Sequence, residues 1–245
     1  MSYREIIENK NVAIVGPAAY LQNSHLGKEI DSHDVVVRIN RSVETTKVYG
    51  EDVGLRTDVL YSCLIEKAAN AGKIKIDELV DHYKVKFLCA PPESDYSGIS
   101  TETKFHYMVD KKKMKKISER LPVRIVDHGF HTKLAKHVNC RPNTGFLAIY
   151  DLLRFKPKKL SIYGFSFYLD GFIPGCKSGI EKEKKVTEEE FASMAFNSKR
   201  HVQKNMWEYA KKTLLDDNVV FLDSVLDKIL NLDKLDKKLF QEAIK

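Results

Sequence analysis

The chain has 245 residues, 41 Lys and Arg against 34 Asp and Glu for a formal net charge of +7, with 43% hydrophobic and 31% charged residues. That length fits one domain with a core that needs no disulfide staples, and the composition excludes wholesale disorder. The basic excess lies in interrupted lysine runs at 111–116 and 182–185, without interleaved aromatics. Nucleic acid is therefore not an expected partner, and the runs read either as solvated faces or as a rim that attracts an acidic substrate. Cys63, Cys89, Cys140 and Cys176 show no CxxC spacing, so no metal site is expected, and Cys63 and Cys89 end apolar runs as core thiols. Residues 1–10 are polar and charged, with no apolar h-region and no stretch of spanning length. Taken as a native start, they lead us to expect a soluble, cytoplasmic protein without an integral membrane segment.

Short apolar runs alternate with amphipathic stretches along the chain. Strands are expected at 12–15, 35–39, 59–62, 85–89, 123–126, 160–163 and 219–222, and helices at 76–83, 104–121, 144–155 and 204–215. Near-continuous apolar runs of this length suit strands covered on both faces. The alternation points to an α/β fold, a Rossmann-like, mostly parallel sheet flanked by helices on both faces, in a single domain. Residues 169–187, with three glycines, a proline and charges, read as a loop or lid. Residues 223–245 carry leucines and isoleucines at helical spacing and read as a C-terminal extension of one or two helices.

In an open parallel sheet, ligands sit beyond the carboxyl ends of the strands. Gly16-Pro17-Ala18-Ala19 follows the first strand, where small residues let backbone amides approach a phosphate or ribose. Neither GxGxxG nor GxxxxGK[ST] is present, which argues against a dinucleotide enzyme and a P-loop kinase. Asn40, after the second strand, either reads a nucleotide or caps a turn. Arg141-Pro142-Asn143-Thr144-Gly145 opens a helix whose N-terminus either receives an anion or is simply capped by Asn143 or Thr144. His201 precedes the helix bearing Trp207 and is either a base for a sugar hydroxyl or a packing residue.

The ordered segments separate these alternatives. Val12-Ala13-Ile14-Val15-Gly16, residues 26–41 with Ile30-Asp31-Ser32-His33-Asp34 and Arg38-Ile39-Asn40, and residues 51–58 resemble the long motif of the eukaryotic-type sialyltransferases. Pro142-Asn143-Thr144-Gly145-Phe146-Leu147-Ala148, followed by Leu160-Ser161-Ile162-Tyr163-Gly164-Phe165, resembles their short motif, and His201 has the spacing of the very short one. The resemblance implies a Rossmann-like glycosyltransferase A-like fold and an inverting, metal-independent transfer of sialic acid, or a related keto-sugar acid, from a CMP-sugar to a glycan acceptor. No cofactor is implied beyond that donor. By the same resemblance His201 is the catalytic base, while Gly16, Asn40, Asn143, Thr144, Gly145, Tyr163 and Gly164 bind the donor. Tyr163 suits strand-end packing equally.

The sequence also departs from that pattern. Val12 and residues 155–157 stand where the family has a cysteine pair, which fits a reducing compartment. Pro17 replaces an asparagine, Asn143 a serine and Met206 a glutamate, with Glu208 nearby in another register. A His-Tyr-Tyr segment is missing between Tyr168 and His201. An inactive nucleotide-binding or scaffold protein of the same fold is the alternative reading.

Overall fold

The structure, a computed structural model, describes residues 2–66, 74–93, 110–176 and 185–244. Seven parallel strands form one sheet in the order β5-β4-β3-β2-β1-β6-β7. They are β1 (Asn11–Val15), β2 (Val35–Ile39), β3 (Val59–Tyr61), β4 (Phe87–Ala90), β5 (Val123–Ile125), β6 (Lys159–Tyr163) and β7 (Val220–Leu222). Each lies where an apolar run stands in the sequence. The five inner runs, β1 to β4 and β6, are buried nearly throughout because helices cover both faces.

The helices are α1 (Tyr3–Ile7), α2 (Gly27–Asp31), α3 (Thr46–Val53), α4 (Lys111–Ser118), α5 (His128–His137), α6 (Thr144–Leu153), α7 (Glu188–Phe196), α8 (Gln203–Leu214), α9 (Ser224–Asn231) and α10 (Lys237–Ala243). Alternation along the strands divides the core. Val12, Ile14, Val37, Val59 and Tyr61 pack with α1, α6, α8, α9 and α10. Ala13, Val15, Val36 and Tyr163 pack instead with Leu21, Ile30 and Val53 around α2 and α3. Leu60 and Leu88 meet Leu79 and Ile117 near the β5 edge. The central helix α6 is buried from Gly145 to Leu152.

The C-terminal residues form two helices on the body: Leu226, Ile229, Leu230 and Phe240 join the main core, and Asp223 and Asp236 cap them through backbone N–H groups. Of the expected helix over 104–121, residues 111–118 are helical, with Lys111, Lys112, Lys115 and Lys116 on its outer surface, and 101–109 lie outside the described residues. The first part of the expected lid is packed down. Leu169, Phe172, Ile173 and Cys176 are buried, and the Ile173 N–H donates to the Pro17 carbonyl at 2.9 Å. Residues 177–184 of that stretch lie outside the described residues, and with them most of the second lysine run. All four cysteines are buried thiols outside any disulfide. No helix among the described residues is long and apolar enough to cross a membrane.

Candidate active site

Strand order reverses at β1, which has β2 to β5 on one side and β6 and β7 on the other. Connections diverge there and open a crevice above the strand ends. A cavity of about 780 Å³ occupies it, lined by Pro17 and Ala18 after β1, Asn40 after β2, Cys63 after β3, Pro91 after β4 and Gly164 to Tyr168 after β6. Its other walls are 141–147 at the start of α6, 198–201 before α8, and Phe191, Met194 and Ala195 of α7. Arg141, Lys199 and Arg200 line it, and no Asp or Glu does among the described residues. No group of three or more His, Cys, Asp or Glu suited to a metal ion occurs among them either.

One wall is a helix start. Asn143 is the N-cap of α6 and its Oδ1 accepts the Phe146 N–H at 2.9 Å. The amides of Thr144 and Gly145 have no hydrogen-bond partner among the described residues. They stand at the positive end of the helix dipole, open to an anion in the cavity. Gly145 admits no side chain, because a Cβ would lie 2.7 Å from the Phe165 ring. Asn40 sits at the end of β2 with φ of 49°, a conformation Asn tolerates. Its Oδ1 accepts the Cys63 N–H at 3.0 Å, so the residue caps a turn and still presents its amide NH₂ at the cavity lining.

His201 is half-buried on the cavity lining, beside the segment that leads into α6. Its Nδ1 lies 2.8 Å from the Arg141 carbonyl oxygen, which can only accept. Nδ1 therefore carries the proton in the neutral ring, and the lone pair is on Nε2. Burial first, then the cations Arg141 and Arg200, push its pKa down to about 4, with the Arg141 carbonyl bond opposing them. The ring is neutral at physiological pH and able to accept a proton. A second histidine on the lining, His131 of α5, is 2% exposed and is also lowered to about 4, by burial and then by Arg141.

Two expected donor residues are placed differently. Tyr163 ends β6 on the α2 face, where its hydroxyl donates to Glu29 Oε1 at 2.7 Å, and it does not line the cavity. Alternation decides this: Ile162 belongs to the main core and Tyr163 to the core beneath α2. Gly16 is not part of the lining either. It is where the chains leaving β1 and β6 touch, and a Cβ on it would lie 2.3 Å from the Gly164 carbonyl oxygen. Gly164 does line the cavity and needs a φ of 73°. Of the departures, Met206 is fully buried in the main core and Glu208 is exposed on α8, 3.7 Å from Lys204.

Behind the cavity the long motif is a polar clasp. The Arg38 side chain, fully buried, donates from Nη2 to the Val53 and Gly54 carbonyls at 2.6 and 3.0 Å and from Nε to the Arg56 carbonyl at 3.0 Å. Asp31 accepts the Leu55 and Arg56 N–H groups, and Arg56 reaches back to the Asp31 and His33 carbonyls. His33 receives the Ser161 hydroxyl at 2.9 Å, which ties this clasp to β6. Asp58 takes the Val36 N–H, Arg56 and Lys86.

A further network was not evident from sequence. Asp223 Oδ2, just after β7, accepts the Tyr20 hydroxyl at 2.7 Å and the Gly164 N–H at 2.9 Å, while Tyr20 Oη accepts the Phe165 N–H at 3.1 Å. These bonds fix the cavity floor after β6 to the ends of β1 and β7. The one available signal was position, since each residue follows closely on a strand.

The model of glycosyltransferase family 29 (sialyltransferase) matches residues 8–170. The chain belongs to that family. Over 45 residues it is 51% identical to human alpha-N-acetylgalactosaminide alpha-2,6-sialyltransferase 1, covering 18% of this chain and 7% of that protein, so it matches a small part of that relative's length. An alpha-2,3-sialyltransferase from Campylobacter jejuni, solved in apo form, superposes with a TM-score of 0.54 at 13% identity, over 92% of this chain and 82% of that one. That likeness shows the same fold, a seven-stranded parallel sheet with flanking helices. A mammalian sialyltransferase solved with Gal-beta-1-3GalNAc-ortho-nitrophenol superposes with a TM-score of 0.41 at 19% identity, over 80% of this chain and 67% of that one.

Proposed function

We propose that this family member is an inverting, metal-independent sialyltransferase that uses a CMP-sugar, with sialic acid or a related keto-sugar acid as the group transferred to a glycan hydroxyl. The observation that carries the reading is that open amides at Thr144 and Gly145 and a neutral His201 line one cavity. His201 Nε2 takes the acceptor hydroxyl proton as the oxygen bonds to the anomeric carbon. The bond from that carbon to the CMP phosphate breaks on the other side, so a single displacement inverts the centre. The departing phosphate's charge falls to the amides of Thr144 and Gly145 and the positive end of α6, with Arg141 as the nearby cation. Asn40 presents amide donors to the nucleotide. The cations Arg141, Lys199 and Arg200 on the lining support charge stabilisation by protein groups. A single catalytic domain spanning the chain and residence in the cytoplasm belong to the same proposal.

Thermal unfolding with CMP, against AMP and UMP, tests the donor half. A ligand at a hundred times its Kd adds about 2.7 kcal/mol, enough to raise the midpoint by several degrees. A CMP-specific rise supports the reading, and transfer from CMP-sialic acid in the presence of EDTA completes it. No rise with any nucleotide at millimolar concentration would sink it.

A further inference from the structure

His201 is gripped at three points. Its main-chain N–H donates to Ser198 Oγ at 3.1 Å, its ring Nδ1–H to the Arg141 carbonyl at 2.8 Å, and its main-chain carbonyl receives Nε2 of Gln203 at 2.6 Å. Gln203 is 2% exposed and does not line the cavity. The same Nε2 makes a longer 3.4 Å contact to the Ala195 carbonyl in the last turn of α7, the helix whose Phe191 and Met194 form the cavity mouth. Both neighbours of Nε2 are carbonyl oxygens, so the amide cannot be flipped without setting oxygen against oxygen. Its Oε1 is left buried without a partner among the described residues. Retaining a buried, half-satisfied amide disfavours the fold, and an apolar residue of similar size would avoid that cost.

We infer that Gln203 is a positioning residue for the proposed reaction: it fixes the His201 main chain between α7 and the start of α8 so that Nε2 meets the acceptor hydroxyl. The Arg141 N–H donates to the Arg200 carbonyl at 3.1 Å, and Asn205 Nδ2 donates to the Val138 carbonyl at 2.9 Å. The segment before α6 and the His201 loop thus form one framework, and Gln203 holds the main chain of residue 201 within it. A base displaced by about an ångström loses on the order of a hundredfold in rate, so a small tilt is legible in kinetics.

The inference rests on the transferase reading, and the test keeps the two separable. Gln203→Met retains length and removes both amide groups. We expect kcat to fall at least tenfold with the CMP-sugar KM within twofold, and the CMP-induced rise in unfolding midpoint to persist. The His201 Cε1–H resonance, followed by NMR against pH in parent and variant, should titrate near 4 in the parent and move toward 6.5 as the ring loosens into water. The charged groups facing His201, Arg141 and Arg200, are the same in both proteins. Gln203→Leu, which likewise removes both amide groups and adds no charge, serves if the Met variant does not fold and should shift both readouts the same way.

An unchanged His201 titration overturns the inference, as does a loss confined to donor KM and CMP binding. A parent protein that fails to bind CMP, with a His201 titration that still responds to Gln203, would defeat the transferase reading and leave the positioning role standing.

Discussion

The clasp behind the sheet and the cavity in front of it are built from neighbouring residues of one motif, yet they treat polar groups in opposite ways. Arg38 and Asn40 are two positions apart. The first is sealed beneath the sheet and spends three of its nitrogen–carbonyl contacts on the 53–56 turn, while the second ends the strand and faces the crevice. In the clasp the Arg38 Nε and Nη2 groups and the Val36, Leu55 and Arg56 amides have acceptors, and the buried Arg38 Nη1 has none among the described residues. In the cavity, the amides of Thr144 and Gly145 and the Asn40 amide nitrogen are left open. Saturation stabilises a scaffold, and openness holds groups ready for a ligand that brings the missing partners. A sequence signature can therefore mark two kinds of residue, those that shape the strand ends and those that use them.

The sharpest division between the halves is kinetic. His201→Ala should lower transfer by about a thousandfold, the ordinary reach of a general base, and leave the CMP-induced rise in unfolding midpoint nearly intact. Steady-state kinetics beside thermal unfolding would show this. Transfer surviving the substitution would remove His201 from the chemistry.

Arg38→Met should do the reverse. It leaves the Val53, Gly54 and Arg56 carbonyls without their donor, and we expect a loss of about 3 kcal/mol, or roughly 6–12 °C in midpoint. Residual folded protein should bind CMP with unchanged affinity, which calorimetry would measure. A fall in CMP affinity without a fall in stability would erase the distinction between scaffold and site.

All seven strands were legible as short β-branched or apolar runs, the inner ones covered on both faces and the edge strands β5 and β7 partly exposed, and α6 and α8 were legible because their apolar positions recur at helical spacing. Helices α1, α2, α3, α5 and α7 were not. His128-Gly129-Phe130-His131-Thr132 shows no stripe, and α5 is set by its Asp127 cap and its packing in the fold rather than by periodicity. Thr187 and Glu190 form a capping box at α7 that could have announced it. Asn40, Asn143, Thr144, Gly145, Gly164 and His201 converge on the cavity. Of the two readings open for Tyr163, strand-end packing is the one the structure shows, because a strand's last residue can face either side and the pleat decides which. Tyr20 and Asp223 meet only after folding, across more than two hundred residues, which no local pattern signals.

His131 ties the cavity side to pH. Its pKa of about 4 in the fold is below the ordinary 6.5. Above 6.5 both states are neutral and the group contributes nothing. Between 6.5 and 4 the unfolded chain takes up a proton that the fold refuses, so stability falls by about 1.4 kcal/mol per pH unit from this residue. His131→Gln should flatten the decline in unfolding midpoint over that window and leave the curve above pH 7 parallel to the parent's. Equal slopes in parent and variant would show that the imidazole protonates freely in the fold.

Asn40→Asp separates two roles within one residue. The carboxylate keeps an oxygen for the Cys63 N–H and suits the positive φ, so the midpoint should move by about a degree or less. It also replaces the amide donors at the cavity with a negative charge, which repels a phosphorylated nucleotide. CMP affinity should fall about tenfold, roughly 1.4 kcal/mol, and more at low salt than at high. A variant that lost stability but kept CMP affinity would mean that Asn40 belongs with Arg38 in the scaffold, and that the boundary between the two halves lies one residue further along the chain.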